Sequence, residues 1–142
     1  MTMRLEISRR ADLAVRALVL LDGSAQRWKA RALADALDTT AGFVPQVVGP
    51  LVKAGWVRSD PGPTGGYSGA CALDEVSVLQ VIEAIDGATD QGRCVVADRE
   101  CGGREPCSLH VAWANARHEL MKSLATTSLS TLAGDRTPVG GA

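Results

Sequence analysis

Apolar residues recur every three to four positions in four stretches of the chain, and this spacing predicts four amphipathic helices. The stretches cover residues 9–21, 28–37, 43–54 and 76–85. Pro50 lies inside the third stretch, where a proline ring removes one backbone hydrogen bond and bends a helix. We therefore expect the third helix to be bent.

Two short segments between the third and fourth helices have the composition of β-strands. They run from Trp56 to Ser59 and from Tyr67 to Leu73, and the Gly/Pro-rich turn DPGPTGG joins them. Three helices followed by a β-hairpin form the pattern of a winged helix-turn-helix domain, in which the third helix enters the DNA major groove and the hairpin is the wing. The predicted fold is therefore mostly α with one small β-hairpin.

A long C-terminal helix is predicted from Ser108 onward, in the segment SLHVAWANARHELMKSLATT. Its broad apolar face comprises Leu109, Val111, Trp113, Leu120, Met121 and Leu124. Because the compact domain is already complete, this face needs another surface to pack on, and we expect a second copy of the chain. The expected organisation is a winged helix-turn-helix domain over residues 1–75, a cysteine-containing loop and dimerisation helix over 76–134, and a flexible tail over 135–142.

The net charge of −1 does not by itself indicate nucleic-acid binding, but the charge is unevenly distributed. Residues 1–67 carry nine Lys or Arg and six Asp or Glu, a net charge of +3, whereas residues 68–142 carry six and ten, a net charge of −4. A basic half is compatible with phosphate binding and also with ordinary surface charge. No apolar run is long enough for a membrane span or a signal peptide, so we expect a cytoplasmic protein with no membrane partner.

Three cysteines and one histidine lie close together in the segment RCVVADRECGGREPCSLH. Their spacing is Cys-x6-Cys-x5-Cys-x2-His, from Cys94 through Cys101 and Cys107 to His110. The reducing cytosol disfavours disulfides, and the hydrophilic loop disfavours unrelated free thiols, which prefer burial. These gaps are wide for structural zinc, whereas the ligands of an iron–sulfur cluster can lie further apart. The spacing alone leaves both zinc and a cluster open.

The motifs of the chain, from Met3 to about Gly134, resemble in their order those of the IscR/NsrR-like iron–sulfur winged-helix regulators, an Rrf-type family. ADLAVRAL resembles the family's N-terminal helix, and VVGPLVKAGWVRSDPGPTGGY resembles its recognition helix and wing. VSVLQVIEAIDG resembles the helix before the cluster loop, and CSLHVAW resembles the start of the dimerisation helix. The resemblance implies a homodimeric transcriptional regulator, expected here to be a repressor, that carries one cluster per subunit and binds a palindromic operator in double-stranded DNA.

The same resemblance implies that Cys94, Cys101 and Cys107 are the thiolate ligands of the cluster. His110 matches the position that completes a 2Fe–2S cluster in IscR-like members. Asp12 matches the carboxylate that a partner subunit donates to a 4Fe–4S cluster in NsrR-like members. Each also has a structural interpretation, as a side chain near a helix start or on a solvent-facing helix surface. We expect His110 and a 2Fe–2S cluster, because CSLHVAW closely resembles the IscR-like version.

Polar and basic residues near the predicted recognition helix and wing are candidate DNA contacts. They are Lys29, Arg31, Thr39, Thr40, Gln46, Arg58, Thr64 and Gly65. Two positions depart from the family's pattern: Pro45 replaces a polar residue that helps to select the DNA sequence, and Pro61 lies where an arginine often enters the minor groove. The operator sequence therefore does not transfer from the relatives, and recognition can rest on fewer base contacts or on DNA shape.

Two other functions stay open at this point. One is a zinc-stabilised or cluster-free regulator, and the other is an iron–sulfur electron-transfer or carrier protein. An enzyme is not expected, because the chain has no phosphate-binding glycine loop, no paired catalytic carboxylate motif and no ordered Ser-His-Asp signature. Cys71, on the second wing strand, is expected to be a half-buried structural residue, with a thiol sensor as the alternative.

Overall fold

The computed structural model describes residues 7–22, 27–87 and 108–134, and these contain six α-helices and one two-stranded sheet. The helices are α1 (Arg9–Leu21), α2 (Ala30–Ala36), α3 (Val44–Lys53), α4 (Val78–Asp86), α5 (His110–Thr126) and α6 (Leu129–Gly134). The strands are β1 (Val57–Asp60) and β2 (Gly66–Gly69), and a 3-10 turn spans Leu73–Glu75. This order confirms the mostly helical, winged helix-turn-helix fold predicted from the sequence.

Helix α1 lies at the centre of the fold. It begins directly after Ser8, because the Ser8 side chain caps the helix by accepting a hydrogen bond from the Ala11 N–H at 3.0 Å. The apolar face predicted by the spacing is buried, and Leu13, Leu18 and Leu21 are almost completely excluded from solvent. Helices α3, α4 and α6 all pack against this face, so α1 connects the helix-turn-helix to the later helices.

Helix α3 continues through its internal proline. Pro45 lies in the first turn, where no backbone N–H is required. The Pro50 carbonyl still accepts a hydrogen bond from the Ala54 N–H at 3.0 Å, and the helix reaches Lys53. The residues that face the core are Val44, Val47, Val48 and Leu51. The opposite face of α3 is left to solvent.

The wing is the antiparallel pair of β1 and β2, extended by one residue from before α2. The Trp28 N–H donates to the Tyr67 carbonyl and the Tyr67 N–H donates to the Trp28 carbonyl, both at 2.8 Å. The apolar spacing of residues 28–37 predicts that the second helix begins at Trp28, and this prediction is wrong. Because its backbone groups pair with the wing, α2 begins two residues later.

Helix α5 ends at Thr126, Thr127 adopts extended backbone, and the chain then forms α6, a helix that the sequence patterns do not predict. The Val78 N–H donates to the Thr127 carbonyl, and the Leu129 N–H donates to the Val76 carbonyl, both at 2.9 Å. This pairing ends α5 and buries Leu129 completely. Helices α4 and α6 therefore share one apolar core with the helix-turn-helix.

Helix α5 packs against α4, yet none of its side chains is buried in the single chain. Val111 is 68% exposed and Leu120 is 42% exposed. This apolar surface agrees with a helix that pairs with another copy of the chain. Among the described residues, no helix is long and apolar enough to cross a membrane.

Candidate nucleic-acid interface and cysteine segment

The exposed face of α3 is small and carries little charge. Pro45, Gln46, Gly49 and Lys53 are the exposed residues of this helix. A Cβ atom built on Gly49 would meet no other atom within 4 Å, so the surface there is open. Such a face can approach a DNA groove closely, and the amide of Gln46 can both donate to and accept from base edges.

Other predicted contacts surround the turn between α2 and α3. Arg31 is exposed in the first turn of α2, Thr40 is exposed in the turn itself, and Thr39 is half-buried. The Thr39 N–H donates to the Ala34 carbonyl at 2.9 Å, which fixes the turn. No side chain caps α3, so the Thr40 hydroxyl is not used as its cap.

The predicted wing contacts differ in what they can offer to DNA. Arg58 is exposed on β1, where its Nε donates to Asp60 Oδ1 at 3.3 Å. Thr64 is exposed at the wing tip, whereas Gly65 is buried. A Cβ on Gly65 would collide with the Asp60 and Pro61 carbonyls, so the turn itself requires glycine. Only the backbone groups of Gly65 are therefore available for a contact with DNA.

Two cations that precede α2 contact the wing. Lys29 Nζ donates to the Pro63 carbonyl at 2.6 Å. Arg27 Nε lies 3.0 Å from Asp60 Oδ2, and Arg27 Nη1 donates to the Thr64 carbonyl at 3.3 Å. Neither Arg27 nor Asp60 is among the contacts that the sequence predicts. The available signal was the extended segment RWK, because alternate residues of an extended chain lie on the same side.

The predicted cluster ligands divide between described and undescribed parts of the chain. The thiolate ligands lie outside the described residues; they are Cys94, Cys101 and Cys107. His110 is half-buried and is the first residue of α5. Asp12 lies in the first turn of α1, and its Oδ2 is 3.2 Å from Arg16 Nε. In the part of the chain that the structure describes, no three His, Cys, Asp or Glu side chains are grouped as a metal site.

The start of the cysteine segment is anchored beside the N-terminus of α1. The Ser8 hydroxyl donates to the Asp86 carboxylate, and Arg10 donates to the Ile85 carbonyl at 2.8 Å. Gly87 then ends α4 with a φ of 87°, a conformation that suits glycine. The end of α4, which precedes the cysteine segment in the sequence, is therefore fixed against α1.

Cys71 lies two residues beyond β2 and is half-buried against the core. Burial raises the pKa of the Cys71 thiol, and the carboxylates of Asp22 and Glu75 raise it further. A thiol must lose its proton to act as a nucleophile or metal ligand. This environment favours a structural role for Cys71 over a thiol sensor.

The exposed α3, the wing and the supporting helices define a winged-helix DNA-binding protein of the transcription-regulator class. Residues 7–135 match the profile of the Rrf2 family, described as iron-dependent transcriptional regulators. The chain belongs to the Rrf2 family. It is therefore a transcriptional regulator and not an enzyme.

Relatives and solved structures agree with this assignment. IscR of Aliivibrio salmonicida is 33% identical over 93 residues, which cover 66% of this chain and 55% of that protein, so the match spans about half the length of this relative. The structure of CymR, the global cysteine regulator of B. subtilis, has a TM-score of 0.75 at 21% identity and covers 94% of this chain and 100% of that one. T. potens IscR has a TM-score of 0.73 at 18% identity, over 94% of this chain and 89% of that one. At these identities the structural likeness shows the fold alone.

Proposed function

We propose that this protein is a homodimeric repressor whose binding to a palindromic operator is controlled by an iron–sulfur cluster that senses redox state, nitric oxide or iron–sulfur status. The observation that carries the proposal is the position of the Cys-x6-Cys-x5-Cys-x2-His motif, between α4 and α5 of an Rrf2-family chain. Helix α4 packs on the helix-turn-helix, and α5 carries exposed apolar surface. In the sequence, the motif therefore lies between the DNA-binding unit and the expected dimer surface.

The residues that would hold the cluster are Cys94, Cys101, Cys107 and His110. Their donor atoms fit the group, because thiolate sulfur binds iron–sulfur clusters and imidazole nitrogen replaces it in some 2Fe–2S centres. When bound, such a cluster supplies a centre that gains and loses one electron and reacts with small oxidants. His110, the last residue of the motif, is also the first residue of α5. In this proposal one chain therefore supplies all four donors.

Asp12 of a partner subunit is the alternative fourth ligand, for a 4Fe–4S cluster. In the structure, Arg16 Nε lies 3.3 Å from Asp12 Oδ1 and 3.2 Å from Oδ2. A carboxylate that bound iron would share or lose this guanidinium. Because this ion pair is exposed, it is weak, and the preference for His110 rests on its place in the Cys-x6-Cys-x5-Cys-x2-His motif.

On DNA, we propose that α3 enters the major groove with Gln46 facing base edges. The side chains of Arg31, Thr40 and Arg58 then lie at the phosphate backbone, where basic and hydroxyl groups position a protein without specifying sequence. The other proposed contacts are Thr39, Thr64 and Gly65. Two subunits present two α3 helices, and half-sites one helical turn apart require a fixed distance between them.

In this proposal, the cluster controls DNA binding through the contacts that hold the end of α4 against α1. Ser8 and Arg10 tie that end to α1, and α1 packs directly on α3. A rearrangement of the cysteine segment therefore changes the support of the helix that enters the groove. Loss of the cluster is expected to weaken operator binding, and Cys101→Ala is expected to have the same effect.

The first test is the anaerobic ultraviolet–visible spectrum of freshly purified protein, with iron, sulfide and zinc assayed on the same sample. We expect visible absorption with about two irons and two sulfides per chain. About four irons per chain would instead favour Asp12 as the ligand. A colourless protein with about one zinc per chain would overturn the cluster and leave a zinc-stabilised regulator.

Three variants then identify the fourth ligand. His110→Ala is expected to lose the cluster during purification, whereas Asp12→Ala is expected to keep it. His118→Ala is the matched control, because His118 is an exposed histidine on the same helix. Cluster loss in Asp12→Ala, with retention in His110→Ala, would contradict the assignment.

A further inference from the structure

The tip of the wing is held by the two cations that precede α2. Lys29 Nζ donates to the Pro63 carbonyl at 2.6 Å and to the Gly62 carbonyl at 3.4 Å. Arg27 Nη1 donates to the Thr64 carbonyl at 3.3 Å. Three successive carbonyls of the wing tip therefore point toward the same two side chains.

The backbone fixes these contacts in register. Trp28, between the two cations, pairs with Tyr67 through both of its backbone groups. Gly66 lies against this pairing with a φ of 142°, and a Cβ there would lie only 2.7 Å from the Trp28 carbonyl oxygen. The segment before α2 and the wing thus approach as closely as glycine allows, which brings the lysine and arginine within reach of the tip.

Asp60 completes the arrangement at the last residue of β1, next to the wing tip. Its Oδ2 lies 3.0 Å from Arg27 Nε and its Oδ1 lies 3.3 Å from Arg58 Nε, and its side chain is 23% exposed. A carboxylate in this position would repel DNA phosphates if it were unpaired. Arg27 therefore neutralises a charge at the wing as well as holding the backbone.

The contact of Lys29 also determines where the next peptide N–H points. The carbonyl and the N–H of a trans peptide point in opposite directions, and the described chain has no cis peptide bond. Because the Pro63 carbonyl points toward Lys29, the Thr64 N–H points to the other side of the wing tip. In the described part of the chain this N–H has no backbone acceptor, and backbone N–H groups are common phosphate ligands.

We propose that Lys29 and Arg27 are positioning residues of the wing, which hold the Pro63–Thr64 peptide so that the Thr64 N–H faces a DNA phosphate. Lys29 then acts on DNA through the wing, and not as the direct contact that the sequence analysis expected. The proposal rests on the DNA-binding function of the chain. The ammonium group of Lys29 already donates to two carbonyls of the wing tip, at 2.6 and 3.4 Å, and these contacts set its position beside the wing.

The test compares three variants in two measurements. The variants are Lys29→Met, Lys29→Arg and Arg31→Met. The first measurement is backbone hydrogen exchange of residues 57–69 in the free protein. The second is affinity, between about 50 and 200 mM salt, for a duplex that the wild-type protein selects from a random pool.

We expect Lys29→Met to speed exchange in the wing and to weaken DNA binding by about tenfold, since charge-assisted hydrogen bonds are lost. Lys29→Arg is expected to restore both, because a guanidinium can donate to the same carbonyls. Arg31→Met is the control, because it removes a nearby positive charge from a side chain that the proposal does not assign to the wing. It is expected to leave hydrogen exchange in the wing unchanged. The slope of log affinity against log salt concentration is expected to become shallower by about one for each lost phosphate contact.

Unchanged exchange in Lys29→Met would overturn the proposal. If the affinity of that variant for DNA also depended less on salt, Lys29 would be a phosphate ligand. If its affinity for DNA were unchanged, Lys29 would not contribute to DNA binding. A wild-type protein that selects no duplex would contradict DNA binding itself, while the exchange data would still decide whether Lys29 holds the wing. The two failures are therefore distinguishable.

Discussion

The Ser8 hydroxyl lies 2.8 Å from one carboxylate oxygen of Asp86 and 2.9 Å from the other, although the two residues are 78 positions apart in the chain. The same hydroxyl oxygen accepts the Ala11 N–H at 3.0 Å, so the cap of α1 and the end of α4 share one atom. Asp86 also lies 4.0 Å from Arg10. The point where the cysteine segment begins is therefore coupled to the first turn of α1.

Ser8→Ala is expected to lower the free energy of unfolding by about 1–2 kcal/mol, because it removes both the helix cap and a partner of Asp86. Urea unfolding followed by circular dichroism measures this change. Ser77→Ala is the matched control, since Ser77 caps α4 in a capping box with Gln80 and does not contact Asp86. The control is expected to lose about 1 kcal/mol.

A double-mutant cycle separates the cap from the link to α4. Ser8→Ala and Asp86→Ala together are expected to cost less than the sum of the two single changes, because they remove one shared contact. Additive costs would show that the two side chains act independently. The coupling described above would then have no energetic basis.

Cys71 is expected to react slowly with iodoacetamide at neutral pH. Burial, followed by Asp22 and Glu75, raises its pKa above the ordinary 9.0, and the thiolate is the reactive form. Alkylation measured by mass spectrometry should therefore continue to accelerate as the pH passes about 9. Glu75→Gln is expected to shift this profile to lower pH, because it removes a nearby negative charge. A reaction rate that levels off below pH 9 in the wild type would contradict the predicted environment.

Helix boundaries show how far local sequence signals reach. The apolar spacing after Ser8 predicted a helix over residues 9–21, and α1 has those bounds, because capping and periodicity are properties of neighbouring residues. Trp28 shows the limit. Its apolar ring is compatible with the start of a helix, but its backbone pairs with Tyr67, which is distant in the sequence. No local sequence pattern predicts that pairing. The same holds for α6, which is separated from α5 by the pairing of Ser77 with Ser128.

The candidate site shows the same difference between local sequence signals and tertiary contacts. Spacing and resemblance predict His110 and the three cysteines as cluster ligands, and the cysteines lie outside the described residues, so these assignments stay predictions. The sequence also predicts Lys29 as a DNA contact, but it does not predict the contact of Lys29 with the wing. That contact forms only because the folded chain brings the RWK segment next to the wing tip, and the local sequence does not encode this approach.

Val111 is expected to be part of the dimer interface. Near the start of α5 it is 68% exposed in the single chain, so Val111→Asp should leave the helical content of the folded chain, measured by circular dichroism, nearly unchanged. In a dimer the new carboxylate would be buried without a partner, and we expect the dissociation constant to rise by more than about tenfold in analytical ultracentrifugation. Ser123→Asp, at an exposed polar position of the same helix, is the control and should keep the dimer. If the Val111→Asp protein dimerises as tightly as the wild type, the subunits pair through another surface.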